Sequence, residues 1–208
     1  MLKINPKFQL VLASQSPRRK ELLSHLGIKF VVIVCSINED RPAPDPIQYV
    51  NDLAQEKGAA VLKILQNSKQ IENPLLVSAD TTVVLGNKIF GKPSSKEDAR
   101  KMLMELSGKT HVVYTGVALS TNQQSYVFYE KSEVEFGPIT DDLMEMYLDT
   151  GESLDKAGAY GIQGAGLMFI KSVRGSYSNV VGFPLDRFVL ELKKILTRSI
   201  RSIPKHAG

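Results

Sequence analysis

The sequence has no tryptophan and only one cysteine, Cys35, among its 208 residues. A lone cysteine excludes a disulfide within the chain and is typical of proteins kept in reducing compartments. Three histidines, at positions 25, 111 and 206, are too scattered to favour a histidine-based zinc site. No apolar run is long enough to span a bilayer, and Asn5 and Pro6 interrupt a start that does not resemble a signal peptide. We therefore expect a cytoplasmic protein with no membrane partner.

The positive charge is concentrated at the C-terminal end of the chain. The formal net charge is +4, from 26 basic and 22 acidic residues. From Leu192 onward the sequence has no acidic residue and five basic ones, which leaves 21 basic against 22 acidic residues before that point. We therefore expect a folded domain over residues 7–196 and a basic, flexible tail over residues 197–208. A duplex-binding protein carries its basic stripe on the folded part, so nucleic acid is not an expected partner; binding through the tail stays open as an alternative.

Hydrophobic patterning predicts strands and helices that alternate along the chain, which indicates an α/β fold with an antiparallel element in its second half. Strands are predicted over residues 8–13, 29–35, 75–79, 110–119, 124–136 and 167–173. Helices are predicted over residues 17–26, 46–70, 96–107, 141–148 and 184–196. The dipeptide Gly86-Asn87 between apolar runs predicts a tight hairpin within residues 82–90.

The segment over residues 8–27 delivers a buried strand directly into the N-terminus of a helix. Ser16 is suited to cap this helix and Pro17 to its first position, where no amide donor is needed. Arg18 and Arg19 occupy the first turn, where the helix dipole disfavours cations. Unpaired backbone amides together with these cations predict an anion site, with phosphate as the expected ligand. The alternative is a solvated basic turn.

Several charged residues outside this segment are further candidates for phosphoryl chemistry. Asp80 follows the predicted strand 75–79, and a carboxylate there is costly unless it has a partner or a role. Glu39 lies in a predicted loop, Lys57 in a helix and Lys92 in the loop 91–94. Cations for phosphates, carboxylates for a divalent metal and an aspartate base are the groups that metal-assisted phosphoryl transfer requires. Taken singly, each residue has an ordinary alternative as a solvated charge or a turn former.

Other nucleotide-binding and hydrolytic motifs do not fit the sequence. GNKIFGKPS has P-loop spacing, but Pro93 stands where a metal-binding hydroxyl is needed. The glycine-rich loop over residues 158–166 lacks the spacing of a dinucleotide fingerprint, and no nucleophile-elbow serine is present.

Four blocks in uninterrupted order resemble the Maf family of nucleoside triphosphate pyrophosphatases: LASQSPRRKELL, SADTTVVLGNKIFGKP, LSGKTHVVYTGVAL, and DKAGAYGIQGAGLMFI with GSYSNVVGFPL. The resemblance implies an elongated mixed sheet with helices and two lobes around a central cleft, related to the inosine-triphosphate pyrophosphatases. It also implies cleavage of a nucleoside triphosphate to the monophosphate and pyrophosphate with Mg²⁺, or with Mn²⁺ or another divalent metal. The family further suggests a homodimer.

The resemblance implies roles for nine positions. Those assigned to binding of the substrate are Ser14, Arg18, Arg19, Lys57, Thr81, Lys92 and Gln163. Asp80 matches the general base, and Glu39 with Asp80 matches the metal site. The family's alanine after the helix lysine is replaced here by Gly58, with an expected small cost in helix stability.

The family divides by substrate into a branch that prefers dTTP and UTP and a branch that prefers 7-methyl-GTP. Arg18, Thr81 and Gln163 match the first branch, which implies removal of dTTP and UTP from the nucleotide pool as a house-cleaning activity. Two alternatives stay open: a 7-methyl-GTP pyrophosphatase, and a regulatory protein of septum formation and cell division that only binds nucleotide.

Overall fold

The computed structural model describes residues 8–39, 45–68 and 70–201, the last five of these by their backbone alone. The strands of these residues are β1 (Gln9–Ala13), β2 (Phe30–Val32), β3 (Pro74–Leu85), β4 (Lys88–Phe90), β5 (Thr110–Ser120), β6 (Ser125–Phe136) and β7 (Ile170–Arg174). The helices are α1 (Pro17–Ser24), α2 (Pro46–Ser68), α3 (Lys96–Leu106), α4 (Asp141–Asp149), α5 (Tyr177–Val181) and α6 (Leu185–Arg201). Short 3₁₀ turns lie at Ala157–Ala159 and Ala165–Phe169.

All seven strands belong to one mixed sheet in the order β2-β1-β3-β5-β6-β7, with β4 paired to the C-terminal part of β3. β1 runs parallel to both β2 and β3, and every other pair is antiparallel. The predicted α/β class with an antiparallel second half is therefore confirmed. In the described ranges, no helix combines the length and the apolar content that crossing a membrane requires.

The third strand is longer than the sequence predicted. β3 does not end before Asp80 but continues to Leu85, so Asp80 lies in mid-strand, opposite Gly116 of β5. The prediction that Asp80 ends the strand was wrong because the polar triplet at 80–82 was interpreted as a terminus. The two threonines suit an extended backbone, and the pairing with β5 continues without interruption from Leu76 to Val84.

Local signals at the ends of elements were more reliable than the predicted lengths. The side chains of Ser16, Ser95 and Thr140 cap α1, α3 and α4 as expected. The predicted strand 29–35 is reduced to β2, and the one over 167–173 begins only at Ile170, after a 3₁₀ turn. The sequence RGSYSN over residues 174–179 predicts a loop, but residues 177–181 form the short helix α5. Helix α6 continues past its predicted end to Arg201, and positions 202–208 of the predicted tail lie outside the described residues.

The core divides into two large clusters at opposite ends of the long strands. The first joins β1, α1, α5 and α6 to the N-terminal half of β3 and includes Leu12, Phe183 and Phe188. The second joins α3 and α4 to the C-terminal ends of β3 and β6 and includes Phe90 and Tyr147. This division gives the two lobes that the family resemblance implied, and Asp80 lies on β3 between them.

Helix α2 packs closely across β3 and β5, and two glycines allow this approach. A Cβ at Gly116 would lie 2.4 Å from the carbonyl oxygen of Val50, and a Cβ at Gly58 would lie 2.9 Å from Oγ of Ser78. That hydroxyl donates a 2.6 Å hydrogen bond to the carbonyl oxygen of Ala54. Gly58 is therefore explained by packing, beyond the cost in helix propensity expected from the sequence. The close contact brings Lys57 within reach of β3.

Candidate active site

A cavity of about 420 Å³ opens between α1, α2, the middle of β3 and the glycine-rich segment after α4. Its volume is typical of sites for small molecules. All nine residues singled out in the sequence line it: Ser14, Arg18, Arg19, Glu39, Lys57, Asp80, Thr81, Lys92 and Gln163. Its charged lining among the described residues also includes Asp155 and Lys156, which gives five cations against three carboxylates. The surplus of two positive charges suits an anionic ligand.

At the centre of the cavity, the ammonium group of Lys57 lies between two carboxylates. Its Nζ is 2.6 Å from Oδ1 of Asp80 and 2.8 Å from Oε1 of Glu39. The side chains of Lys57 and Asp80 are 15% and 10% exposed, whereas that of Glu39 is 44% exposed. Asp80 can remain in a buried strand because this cation compensates its charge. Its second oxygen, Oδ2, accepts no hydrogen bond from the described residues and is available to a ligand or water.

The same lysine lowers the pKa of Glu39. Burial acts to raise the pKa of Glu39, but the hydrogen bond and charge of Lys57 outweigh it, with smaller contributions from Lys92 and Arg19. The net result is a pKa below the ordinary value. The cavity therefore holds Glu39 as a carboxylate under neutral conditions.

Arg19 connects three parts of the fold through its guanidinium group. Its Nε donates to the carbonyl oxygen of Gly182 at 2.8 Å, and its Nη1 donates to that of Ala79 at 2.8 Å. Nη1 also contacts Oγ of Ser14 at 3.4 Å, and Nη2 donates to Oγ1 of Thr81 at 2.9 Å. Four of the five N–H bonds are thus directed at protein acceptors, and one on Nη2 is left for a ligand. Burial lowers the pKa of Arg19, against the opposing charge of Asp80.

A directed chain of hydrogen bonds extends from Arg19 into the core. Thr115 donates to the carbonyl oxygen of Asn179 at 3.2 Å, so its hydroxyl accepts from Thr81, 3.0 Å away, and the carbonyl oxygen of Gly182 is a more distant acceptor for Thr81 at 3.4 Å. Thr81 in turn accepts from Arg19. The order of donors is therefore Arg19, Thr81, Thr115 and then the backbone of α5. The sequence singled out Thr81 but missed Thr115, because its pairing opposite Thr81 depends on the register of β3 and β5.

The first arginine of α1, Arg18, faces a different environment. Its Nη1 forms an ion pair with Oδ2 of Asp155 at 2.9 Å, and Lys156 contacts the other oxygen, Oδ1, at 2.6 Å. Both residues belong to the block DKAGAYGIQG, whose spacing alone assigns them no role. They were therefore missed, and only the contact between α1 and the segment after α4 places them at the cavity.

The glycine-rich segment contributes the side-chain amide of Gln163 and the aromatic ring of Tyr160 to the cavity. The side chain of Gln163 lines the cavity and makes no hydrogen bond to the described residues. It does not tie down its own loop. Tyr160 is buried in the cavity wall, and its hydroxyl lies 2.7 Å from Nε2 of His111. Burial lowers the pKa of His111 to about 4, so the ring is neutral near pH 7.

The donor set at Glu39 and Asp80 fits a hard divalent cation. Two carboxylate oxygens converge within 2.8 Å of one point, the position of the Lys57 ammonium. In the described part of the chain, no group of three or more histidine, cysteine, aspartate or glutamate side chains is arranged to hold a metal. Mg²⁺ commonly binds through one or two carboxylates together with waters and substrate phosphates, so two carboxylates are sufficient when a phosphate ligand supplies further oxygens.

Comparison with known proteins gives matches over most of the chain. A Bacillus anthracis protein named dTTP/UTP pyrophosphatase is 45% identical over 187 residues, covering 89% of this chain and 95% of that protein. A Bacillus cereus protein of the same name is 44% identical with the same coverage.

Two solved structures are also similar. The Staphylococcus aureus Ham1 protein matches with a TM-score of 0.42 at 16% identity, over 62% of this chain and 71% of that one. The nucleoside-triphosphatase, or dITP/XTP pyrophosphatase, of Mycobacterium abscessus matches with a TM-score of 0.40 at 10% identity, over 95% of this chain and 98% of that one. The family model described as Maf-like protein matches residues 9–195, and the chain therefore belongs to the Maf family.

Proposed function

We propose that this protein hydrolyses dTTP and UTP to the nucleoside monophosphate and pyrophosphate. The observation that carries the proposal is the Asp80 carboxylate, held by Lys57 at 2.6 Å inside a cavity with a surplus of cations. A carboxylate with one free oxygen suits a base, and the cations around it suit a triphosphate. The relatives named dTTP/UTP pyrophosphatase support the choice of substrate.

In the proposed reaction, Asp80 orients a water molecule and accepts its proton on Oδ2. The water oxygen forms a bond to the α-phosphorus, in line with the bond to the bridging oxygen of the β-phosphate, which breaks. Pyrophosphate leaves with the electron pair of that bond, and the monophosphate keeps the oxygen of the water. Arg18, Lys92 and the remaining N–H of Arg19 bind the phosphate oxygens, and Ser14 supports the loop between β1 and α1.

Glu39 and Asp80 are the residues that would hold a divalent cation, Mg²⁺ or Mn²⁺. When bound, such a metal neutralises the charge that builds up on the phosphate oxygens. The role of Lys57 is to compensate the charge of both carboxylates and to hold them at a common point until the nucleotide arrives. Because Glu39 is the more exposed of the two, it is the carboxylate with more freedom to adjust its position.

The nucleobase of the substrate is proposed to be recognised by the side-chain amide of Gln163. A uracil or thymine edge presents an acceptor, a donor and another acceptor, which an amide and neighbouring backbone groups can match. A hydrogen-bonding site discriminates strongly against a base that leaves its groups unpaired, whereas one methyl group changes the rate by about 10- to 200-fold at most. Both thymine and uracil nucleotides are therefore expected substrates. The absence of a hydrogen bond from Gln163 to the described residues supports this assignment.

The direct test is pyrophosphate release, measured with Mg²⁺, from dTTP, UTP, dATP, GTP and 7-methyl-GTP. We expect dTTP and UTP to have the highest kcat/KM. Gln163→Ala should narrow their advantage more than it weakens binding of the triphosphate, whereas Gln123→Ala, in the exposed turn between β5 and β6, should change neither.

Two results would contradict the proposal in different ways. Preferred cleavage of 7-methyl-GTP would reverse the choice of substrate but keep the pyrophosphatase activity. Binding of nucleotides without release of pyrophosphate from any of them would instead favour a regulatory protein that only binds nucleotide.

A further inference from the structure

At the rim of the cavity, one carboxylate is shared between two cations. Asp155 accepts from Arg18 through Oδ2 at 2.9 Å and from Lys156 through Oδ1 at 2.6 Å. The Asp155 side chain is 59% exposed, whereas those of Arg18 and Lys156 are 23% and 11% exposed. The two cations are therefore fixed in the cavity wall, and the anion between them faces solvent.

This arrangement is the one that an oxyanion group would need. Arg18 starts from the first turn of α1, while Lys156 lies across Gly161, where a Cβ would be 2.7 Å from its Cε. Among the described residues, the only other acceptor of the Lys156 ammonium is the backbone oxygen of Glu152. Two cations from separate elements thus converge on two oxygens of one anionic group, and both line the cavity.

We propose that Arg18 and Lys156 form a subsite for one phosphate group of a polyphosphate, and that the Asp155 carboxylate occupies this subsite in the free protein. In the free protein, the Asp155 carboxylate holds both cations in position and competes with the incoming anion. On binding, two oxygens of the phosphate group replace Oδ1 and Oδ2, and Asp155 turns into solvent. The proposal rests on the proposed function only in taking a polyphosphate as the ligand.

The exchange is favourable because the two anions differ in charge and in position. Asp155 carries one negative charge on a side chain that is mostly in water, where an ion pair is weak and is screened by salt. A polyphosphate carries several charges and places others next to the remaining cations of the cavity. Asp155 therefore lowers the affinity of the cavity for any polyphosphate while it keeps Arg18 and Lys156 aligned.

The test is the binding of inorganic tripolyphosphate, measured by titration calorimetry at fixed ionic strength. Asp155→Asn removes the competing charge, and we expect binding to tighten by about three- to tenfold, the range of one or two exposed ion pairs. Lys156→Gln should weaken binding about tenfold. Asp155→Ser, a second variant without the carboxylate, should tighten binding as Asp155→Asn does.

Glu152→Gln is the matched control. It removes one negative charge three residues before Asp155, but the Glu152 carboxylate contacts the amide of Ala165 and neither Arg18 nor Lys156. Glu152→Gln should change the Kd for tripolyphosphate by less than about twofold. Equal tightening in Glu152→Gln would show a general charge effect and overturn the proposal, as would unchanged or weaker binding in both Asp155 variants. Failure to hydrolyse dTTP or UTP, with these binding changes intact, would instead reject the proposed function and keep the subsite.

Discussion

Removal of the Lys57 ammonium tests whether this single cation makes the central carboxylates compatible with the fold. In Lys57→Met, the buried stem is kept and the charge is lost. Asp80 then remains in mid-strand, with its side chain 10% exposed, and has no cation within hydrogen-bonding distance among the described residues. Glu39 loses the same partner but is 44% exposed and can turn toward water.

The size of the effect follows from these exposures. Loss of one partner from a buried ion pair costs about 3–5 kcal/mol, and an exposed pair is worth about 0–1 kcal/mol. Because Asp80 is nearly buried and Glu39 is not, we expect the free energy of unfolding to fall by about 2–3 kcal/mol. For a chain of this size, that corresponds to a decrease in Tm of about 4–12 °C.

Chemical denaturation of four proteins measures this: wild type, Lys57→Met, Asp80→Asn and the double variant. The double variant should regain at least half of the lost stability, because the uncompensated charge is gone. Lys63→Met, at an exposed position of α2, is the matched control and should change stability by less than about 0.5 kcal/mol. If Lys57→Met were no less stable than Lys63→Met, the proposed compensation of Asp80 would be refuted.

The difference in free energy of unfolding between wild type and Lys57→Met should depend on pH because of Glu39. Its pKa in the folded protein lies below its ordinary value of 4.5, so it stabilises the fold above that pH and loses this contribution as pH falls through the lower value. In Lys57→Met the cause of the low pKa is removed. The difference in free energy of unfolding between wild type and Lys57→Met should therefore be largest above about pH 5 and should become smaller in more acidic solution.

Four further predictions address other parts of the protein. Asp80→Asn should lower kcat about a hundredfold or more while far-UV circular dichroism stays unchanged, and near-normal kcat would reject Asp80 as the base. Thr115→Val removes the nearer of the two acceptors of the Thr81 hydroxyl and should lower kcat severalfold, with Thr115→Ser restoring it; equal losses in both variants would indicate a packing effect instead. Burial lowers the pKa of His111 from 6.5 to about 4. The free energy of unfolding of wild type should therefore fall by up to about 3 kcal/mol as pH is lowered from 6.5 to 4. His111→Gln, which keeps a partner for Tyr160, should not show this loss, and an identical acid profile would reject His111 as its source. Truncation after Leu196 should leave hydrolysis unchanged and remove most salt-sensitive binding to polyanions, and a loss of activity would show that the tail contributes to the cavity.

The nine residues that line the cavity were singled out from the sequence because their chemistry is carried by local motifs. The strand-to-helix junction with Arg18 and Arg19 is set by a cap, a proline and an apolar run, all within residues 8–27. Asp80 and Gln163 were singled out by residue type and by the family blocks around them. Each of these signals extends over a few residues, so no knowledge of the tertiary structure was needed to find them.

Contacts between distant elements depended on strand register and helix packing instead. Asp80 was placed at a strand end because the sequence does not show that β5 continues to pair beyond it. Asp155 and Thr115 escaped notice because their partners lie 137 and 34 residues away, on other elements. The cap signals, the family blocks and the charged residues were therefore determined by the sequence itself. Which cation compensates which carboxylate was decided only by the close packing of α2 on the sheet and of α1 against the segment after α4.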